Sequence, residues 1–331
     1  MRLFTFLGLA LFLVLRCQSP SIKEAPNCTI LYLDSLQAAE VIVEDTMEHF
    51  FDQISELDMA IQMKLEKGEG LPRKVLLEQY RSFLKTDVGH FSDEETQMLN
   101  DIFAKAVALC QMLSPDLLPD TLQLIKTKGG HYGPSVFYTR QQCIIIPEND
   151  LLEPDSEKLL QVMLHELFHI YSRYHPEQRT QLYQLIGFSP LSGTLHYPAA
   201  LERTLLCNPD GINVAYAIHL PDANSPVQAI PLIRSRYEHF APVLPDFFAY
   251  LSFDLYAIKA IADGTFEVQC RADGSSTLTD AEKAGFRKQI GDNTDYIIHP
   301  DEILAENFVL LALKGAGKDQ LLQKIKAVIG K

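Results

Sequence analysis

The segment His165-Glu166-Leu167-Phe168-His169 sets two imidazoles four positions apart, with a carboxylate next to the first. On an α-helix, positions i and i+4 lie one above the other, about 6 Å apart along the axis, so both rings can share one ion. Neutral imidazole is a common zinc ligand, and a carboxylate in the position of Glu166 can reach water on that ion and take its proton. Leu159, Leu160, Val162, Met163, Leu164, Leu167, Phe168 and Ile170 make the same stretch apolar nearly all round, which predicts a buried helix. An unpaired buried polar group costs about 1–3 kcal/mol and a buried charge more, and a divalent cation would compensate all three side chains. With 10 His in 331 residues, chance supplies roughly 0.02 matches to this pattern per chain, so it is specific.

The elements that must position this segment read as follows. Leu36 to Leu65, Arg73 to Leu84 and a run opening at the capping-box pattern Ser92-Asp93-Glu94-Glu95 predict a helical region over 30–117. Short apolar runs at Leu122 to Ile125, Ser135 to Tyr138 and Cys143 to Pro147 read as strands, with Thr139 to Gln142 joining the last two as a hairpin. Asp155-Ser156-Glu157 opens the helix that carries the histidines to about Tyr174. Residues 212–271 return to strand-like runs, and helices over Asp280 to Ile290, Pro300 to about Leu313 and Asp319 to Ile329 close the chain. The fold class is α+β, and Asn208-Pro209-Asp210-Gly211 reads as a turn.

With these residues in place, the chain resembles the HExxH zinc metallopeptidases, and two candidates compete for a third ligand. His175 lies six positions after His169, the spacing of the metzincins, but Ser172 stands where that branch has a helix-ending Gly, and its downstream methionine turn has no counterpart because the last Met is Met163. The second candidate lies in His299-Pro300-Asp301-Glu302-Ile303-Leu304-Ala305-Glu306, where Glu302 and Glu306 share one helical face. This stretch is similar to the ExxxD helix of the gluzincins, the thermolysin-like branch, with Glu in place of the usual Asp at its second acidic position. That resemblance implies a zincin core over 118–331 with a strand-rich insertion at 212–271, one Zn²⁺ held by His165, His169 and Glu302, and Glu306 holding a ligand histidine. It also implies Glu166 as general base in peptide-bond hydrolysis, a peptide or protein substrate, and an oxyanion donor drawn from His299, Tyr296, Tyr216 and His196. In this branch an edge strand pairs with extended substrate, a role open to the hairpin Val136 to Ile146. Two alternatives stand beside the peptidase: a non-catalytic metal-binding protein on the same fold, and an amidase acting on cell-wall peptide.

Composition sets the surroundings. Against 29 Lys and Arg stand 43 Asp and Glu, a formal net charge of -14, which argues against a nucleic-acid partner bound through phosphates. Arg2 followed by an apolar run from Leu3 to Leu15 has the form of a signal-peptide core, so the chain is expected to be exported to a periplasmic or extracellular setting. Cys17 directly after it is where a lipid anchor would attach, the sole membrane contact expected, although Arg16 stands where a small residue belongs. The six cysteines form no CxxC pair; one or two disulfides would suit an oxidising compartment.

Overall fold

A computed structural model describes residues 28–65, 71–210, 216–221, 226–262 and 264–330; the leader and Cys17 lie outside them. The architecture is α+β, with a four-stranded and a six-stranded sheet. The chain opens with β1 (Thr29–Tyr32), then α1 (Ser35–Val41), α2 (Phe50–Gln53), α3 (Glu56–Gln62), α4 (Arg73–Asp87) and α5 (Asp93–Leu113). β2 (Thr121–Thr127), β3 (Tyr138–Arg140) and β4 (Cys143–Pro147) complete the smaller sheet in the order β1-β2-β4-β3, parallel except for β3. The region read as purely helical thus contributes a strand, and the expected long helix from Leu36 is three short ones. Ser55 restarts the chain as the N-cap of α3, its hydroxyl accepting from Asp58 N.

After α6 (Asn149–Leu152) comes α7 (Ser156–Tyr174), which carries the histidines. Asp155 caps it by accepting from the backbone of Glu157 and Lys158. The helix ends at Tyr174 because Pro176 follows: a residue before proline is pushed out of the α region, and His175 sits at φ -123°, ψ 68°. Pro176 opens α8 (Pro176–Leu185), a helix with no counterpart in the sequence reading. The larger sheet comprises β5 (Phe188–Pro190), β6 (Thr194–His196), β7 (Tyr216–Leu220), β8 (Val227–Ser235), β9 (Leu251–Ala262) and β10 (Thr265–Val268), with the short helix α9 (Ala199–Glu202) between β6 and β7. Its order is β5-β7-β8-β9-β10-β6. α10 (Asp280–Ile290), α11 (Pro300–Lys314) and α12 (Gln320–Ile329) follow.

α5, α7, α11 and α12 share one apolar core with β2 and β4, while α1 to α4 line a second core against Ile125 of β2 and Ile145 of β4. Phe168 of α7 and Phe308 of α11, both fully buried, lie with ring centroids 5.5 Å apart. Cys28, Cys110, Cys143, Cys207 and Cys270 are all free thiols, so the disulfides allowed by composition are not formed among the described residues.

α3 also reaches across to the 205–208 segment. The Ser55 hydroxyl donates to Leu205 O at 2.8 Å, and Cys207 N donates to Asp58 Oδ2 at 2.8 Å. Gln62 donates to the other Asp58 oxygen at 2.7 Å and accepts from the Tyr80 hydroxyl at 2.6 Å. Full burial pushes the Asp58 carboxyl up to about 7, against the opposing effect of these donors. The folded state therefore holds a proton that the unfolded state, near its ordinary value of about 3.9, has released, so Asp58 makes stability fall as pH rises from about 4 to about 7. Urea unfolding across that window should show this loss in the wild type and a flatter profile in Asp58→Asn.

Candidate metal centre

α7 and α11 cross so that the histidine face of the first meets the acidic first turn of the second. His165 Nε2 lies 3.0 Å and His169 Nε2 3.4 Å from the same oxygen, Oε2 of Glu302. Donors about 2.0–2.2 Å from one tetrahedral ion stand roughly 3.3 Å apart, and these three atoms form a set that could hold a metal ion. The three side chains are tightly enclosed, with Glu302 fully buried.

Each donor is held from behind. His165 Nδ1 lies 2.9 Å from Glu306 Oε1, and His169 Nδ1 lies 2.7 Å from Asp301 Oδ2. Asp301 Oδ1 accepts from Ser172 at 2.5 Å and from the Tyr183 hydroxyl at 2.8 Å. Glu302 Oε1 accepts from the Asn208 amide at 2.6 Å, which leaves Oε2 to face the rings. Such partners fix the ring tautomer and orientation, the usual support of a metal-binding imidazole.

Glu166 is buried beside this set, and among the described residues its Oε2 has no hydrogen-bond partner. Burial and the nearby Asp210 carboxylate push its carboxyl well above the ordinary range, against the opposing pull of the two imidazoles. Burial works against protonation of His165, but Glu302 and Glu306 override it and raise the ring to about 10. His169 is likewise raised, burial being overcome by Glu302 and Asp210. Glu302 is held well below its usual range despite burial, by the two rings. Two imidazoles and several carboxylates so enclosed need positive charge, supplied by ring protons or by a cation that replaces them. His169 Nε2, which among the described residues makes no hydrogen bond beyond its 3.4 Å approach to Glu302 Oε2, and the oxygen-nitrogen donor set both fit a divalent cation.

Asp210 and Asn208 come from the stretch read as a turn. The Asn208 amide holds Glu302 as described, and Asp210 forms a second possible metal-binding group with Glu166 and His169. Asp210 Oδ1 accepts from Thr139 N at 2.5 Å and from its hydroxyl at 3.0 Å. Arg173, one turn beyond His169, ties these parts to α7 through Gln141 O at 2.9 Å, Thr139 Oγ1 at 2.9 Å and Asp210 O at 3.2 Å, and it pairs with Glu48. β3 is the outermost strand of its sheet, but its three residues are buried and Thr139 N–H is taken by Asp210. Residues Ser135, Val136 and Phe137, just before it, border a cavity of about 280 Å³ that also holds His165 and Glu166.

His175 does not join the donor set: its ring stacks on Tyr171 at 4.4 Å and Nδ1 meets Tyr171 O at 2.9 Å. The proline after it turns the chain away, while Ser172 stays helical and serves Asp301. Of the four oxyanion candidates, Tyr296 borders the Glu166 cavity, with its ring centroid 6.2 Å from that of His165. His299 instead caps α11, accepting from Asp301 N at 3.2 Å. Tyr216 bonds Thr180 at 2.9 Å and packs on Tyr183. His196 is exposed on β6, paired in register with Glu267.

Comparison of the chain with protein families, curated proteins and solved structures finds no match. Among the described residues, no helix is long and apolar enough to cross a membrane.

Asn208→Ala should free Glu302 Oε1 and lower metal affinity about 10- to 100-fold, the usual effect of removing a partner that orients a ligand. Competition against a calibrated chelator measures it, and an unchanged affinity would leave Asn208 without that role.

Proposed function

We propose that the chain is an exported, zinc-dependent metallopeptidase of gluzincin type. The observation that carries this reading is the meeting of His165, His169 and Glu302 on one oxygen, beside the partnerless Glu166 Oε2 in an open cavity. His165, His169 and Glu302 would hold the ion, and the leader in residues 1–17 would place the reaction outside the cytoplasm. When bound, such an ion lowers the pKa of water toward about 7 and polarises a carbonyl.

The chain's own groups supply the rest. Glu166 takes the proton of the attacking water and passes it to the leaving amine. Tyr296, which borders the cavity with Glu166, would supply the hydroxyl donor for the developing oxyanion. Glu306 and Asp301 keep the imidazoles turned toward the ion, and Asn208 keeps Glu302 so.

One feature favours a second reading. Asp210 adds a further carboxylate beside His169, and structural sites are closed by protein donors. In that case the ion would cross-link α7 and α11 without chemistry.

Glu166→Gln should keep one metal per chain by elemental analysis while peptide cleavage falls by at least about 100-fold, the lower range for removing a general acid–base. Cleavage at the wild-type rate would remove Glu166 from the role. Chelation should abolish cleavage with little change in Tm; unfolding on chelation would support the structural ion instead.

A further inference from the structure

A second cavity, of about 430 Å³, shares His169 and Asp301 with the metal centre but opens away from Glu166. Its walls include Glu48, Arg173, Arg179, Tyr183, Tyr216 and His299. Most of its charges are already satisfied. Arg173 pairs with Glu48, and Asp301 accepts from His169, Ser172 and Tyr183. Arg179 is different: it feels the Asp301 carboxylate and the Tyr216 hydroxyl, but among the described residues it forms no ion pair and its buried Nε has no hydrogen-bond partner.

A guanidinium with a buried, unpaired N–H in a cavity is a specific chemical feature. Its planar fork matches a carboxylate, and a buried N–H without an acceptor is costly until one arrives. The helix that carries it is held on both sides, Thr180 to Tyr216 at 2.9 Å and Tyr183 to Asp301 at 2.8 Å, so the stem of Arg179 starts from a fixed point. Glu48 Oε2 is also without a partner, but Arg173 offsets that charge. The cavity on the Glu166 side is bordered instead by Val136, Phe137, Val162, Phe248 and Val309, and its Lys158 pairs with Asp150.

We propose that the cavity beside His169 is a carboxylate-binding subsite whose cation is Arg179. It deepens the metallopeptidase reading and rests on it for the origin of the carboxylate, either an acidic side chain next to the scissile bond or the free C-terminus of a peptide.

The test uses the metal-loaded full chain and peptides that differ as Glu against Gln, and as free acid against C-terminal amide. Peptides bearing the recognised carboxylate should be cleaved about 30-fold better in kcat/KM than their uncharged partners, mostly through KM. Arg179→Met should erase that preference and leave uncharged peptides unaffected, and Arg179→Lys should restore part of it. Dependence on Glu identifies the side chain as the source, and dependence on the free acid identifies the C-terminus. Equal cleavage of charged and uncharged peptides, or an equal loss on both in Arg179→Met, would overturn the subsite and leave Arg179 as a counter-charge for Asp301. Should the wild type cleave no peptide, the peptidase reading fails by itself. Calorimetric titration with N-acetylglutamate and the uncharged N-acetylglutaminamide then decides the subsite: acid-selective binding lost in Arg179→Met supports it, and its absence overturns it.

Discussion

The structure depends on the contact between the histidine face of α7 and the first turn of α11. Neither surface is stable alone in an apolar core. His165, Glu166 and His169 would be uncompensated on α7, and Asp301 and Glu302 would be uncompensated on α11. Brought together, each imidazole nitrogen finds a carboxylate oxygen within 3.4 Å, and the flanking apolar rows close around them with Phe168 against Phe308. Burying charge this way stabilises little by itself, because desolvation offsets most of the Coulomb gain.

Several parts of the fold converge on that contact. α8 supplies Tyr183, which holds the far oxygen of Asp301. Arg173 binds the hairpin and the backbone of Asp210 to α7. α3, far off in sequence, fixes the 205–208 segment through Ser55 and Asp58 and so sets the reach of Asn208 to Glu302. The N-terminal helices therefore belong to the site's support as well as to the apolar core.

The helical parts of the site were legible because helical spacing is local. His165 and His169, or Glu302 and Glu306, face one way whatever the rest of the chain does, and caps such as Asp155 and Ser92 mark where a helix starts. The 208–210 segment was not legible, since Asn, Pro, Asp and Gly have the same composition in a solvent turn as in a loop inserted into a buried site. Its signal lies in contacts 94 and 71 positions away, to Glu302 and Thr139. The departure of His175 could have been read from Pro176, whose effect on the preceding residue is also local. The four-residue β1 owes its strand form to a parallel partner, β2, which begins at Thr121.

His165 and Glu302 are separated by 137 positions in a chain of 331 residues. During synthesis from the N-terminus, the imidazole pair emerges long before the segment that completes it. A nascent polypeptide can form α7 early but cannot assemble the three-donor cluster until α11 has been made and has docked. Closing a loop over so many residues carries an entropic cost that the docking of α11 must offset, so the donor cluster forms only when the whole body is complete.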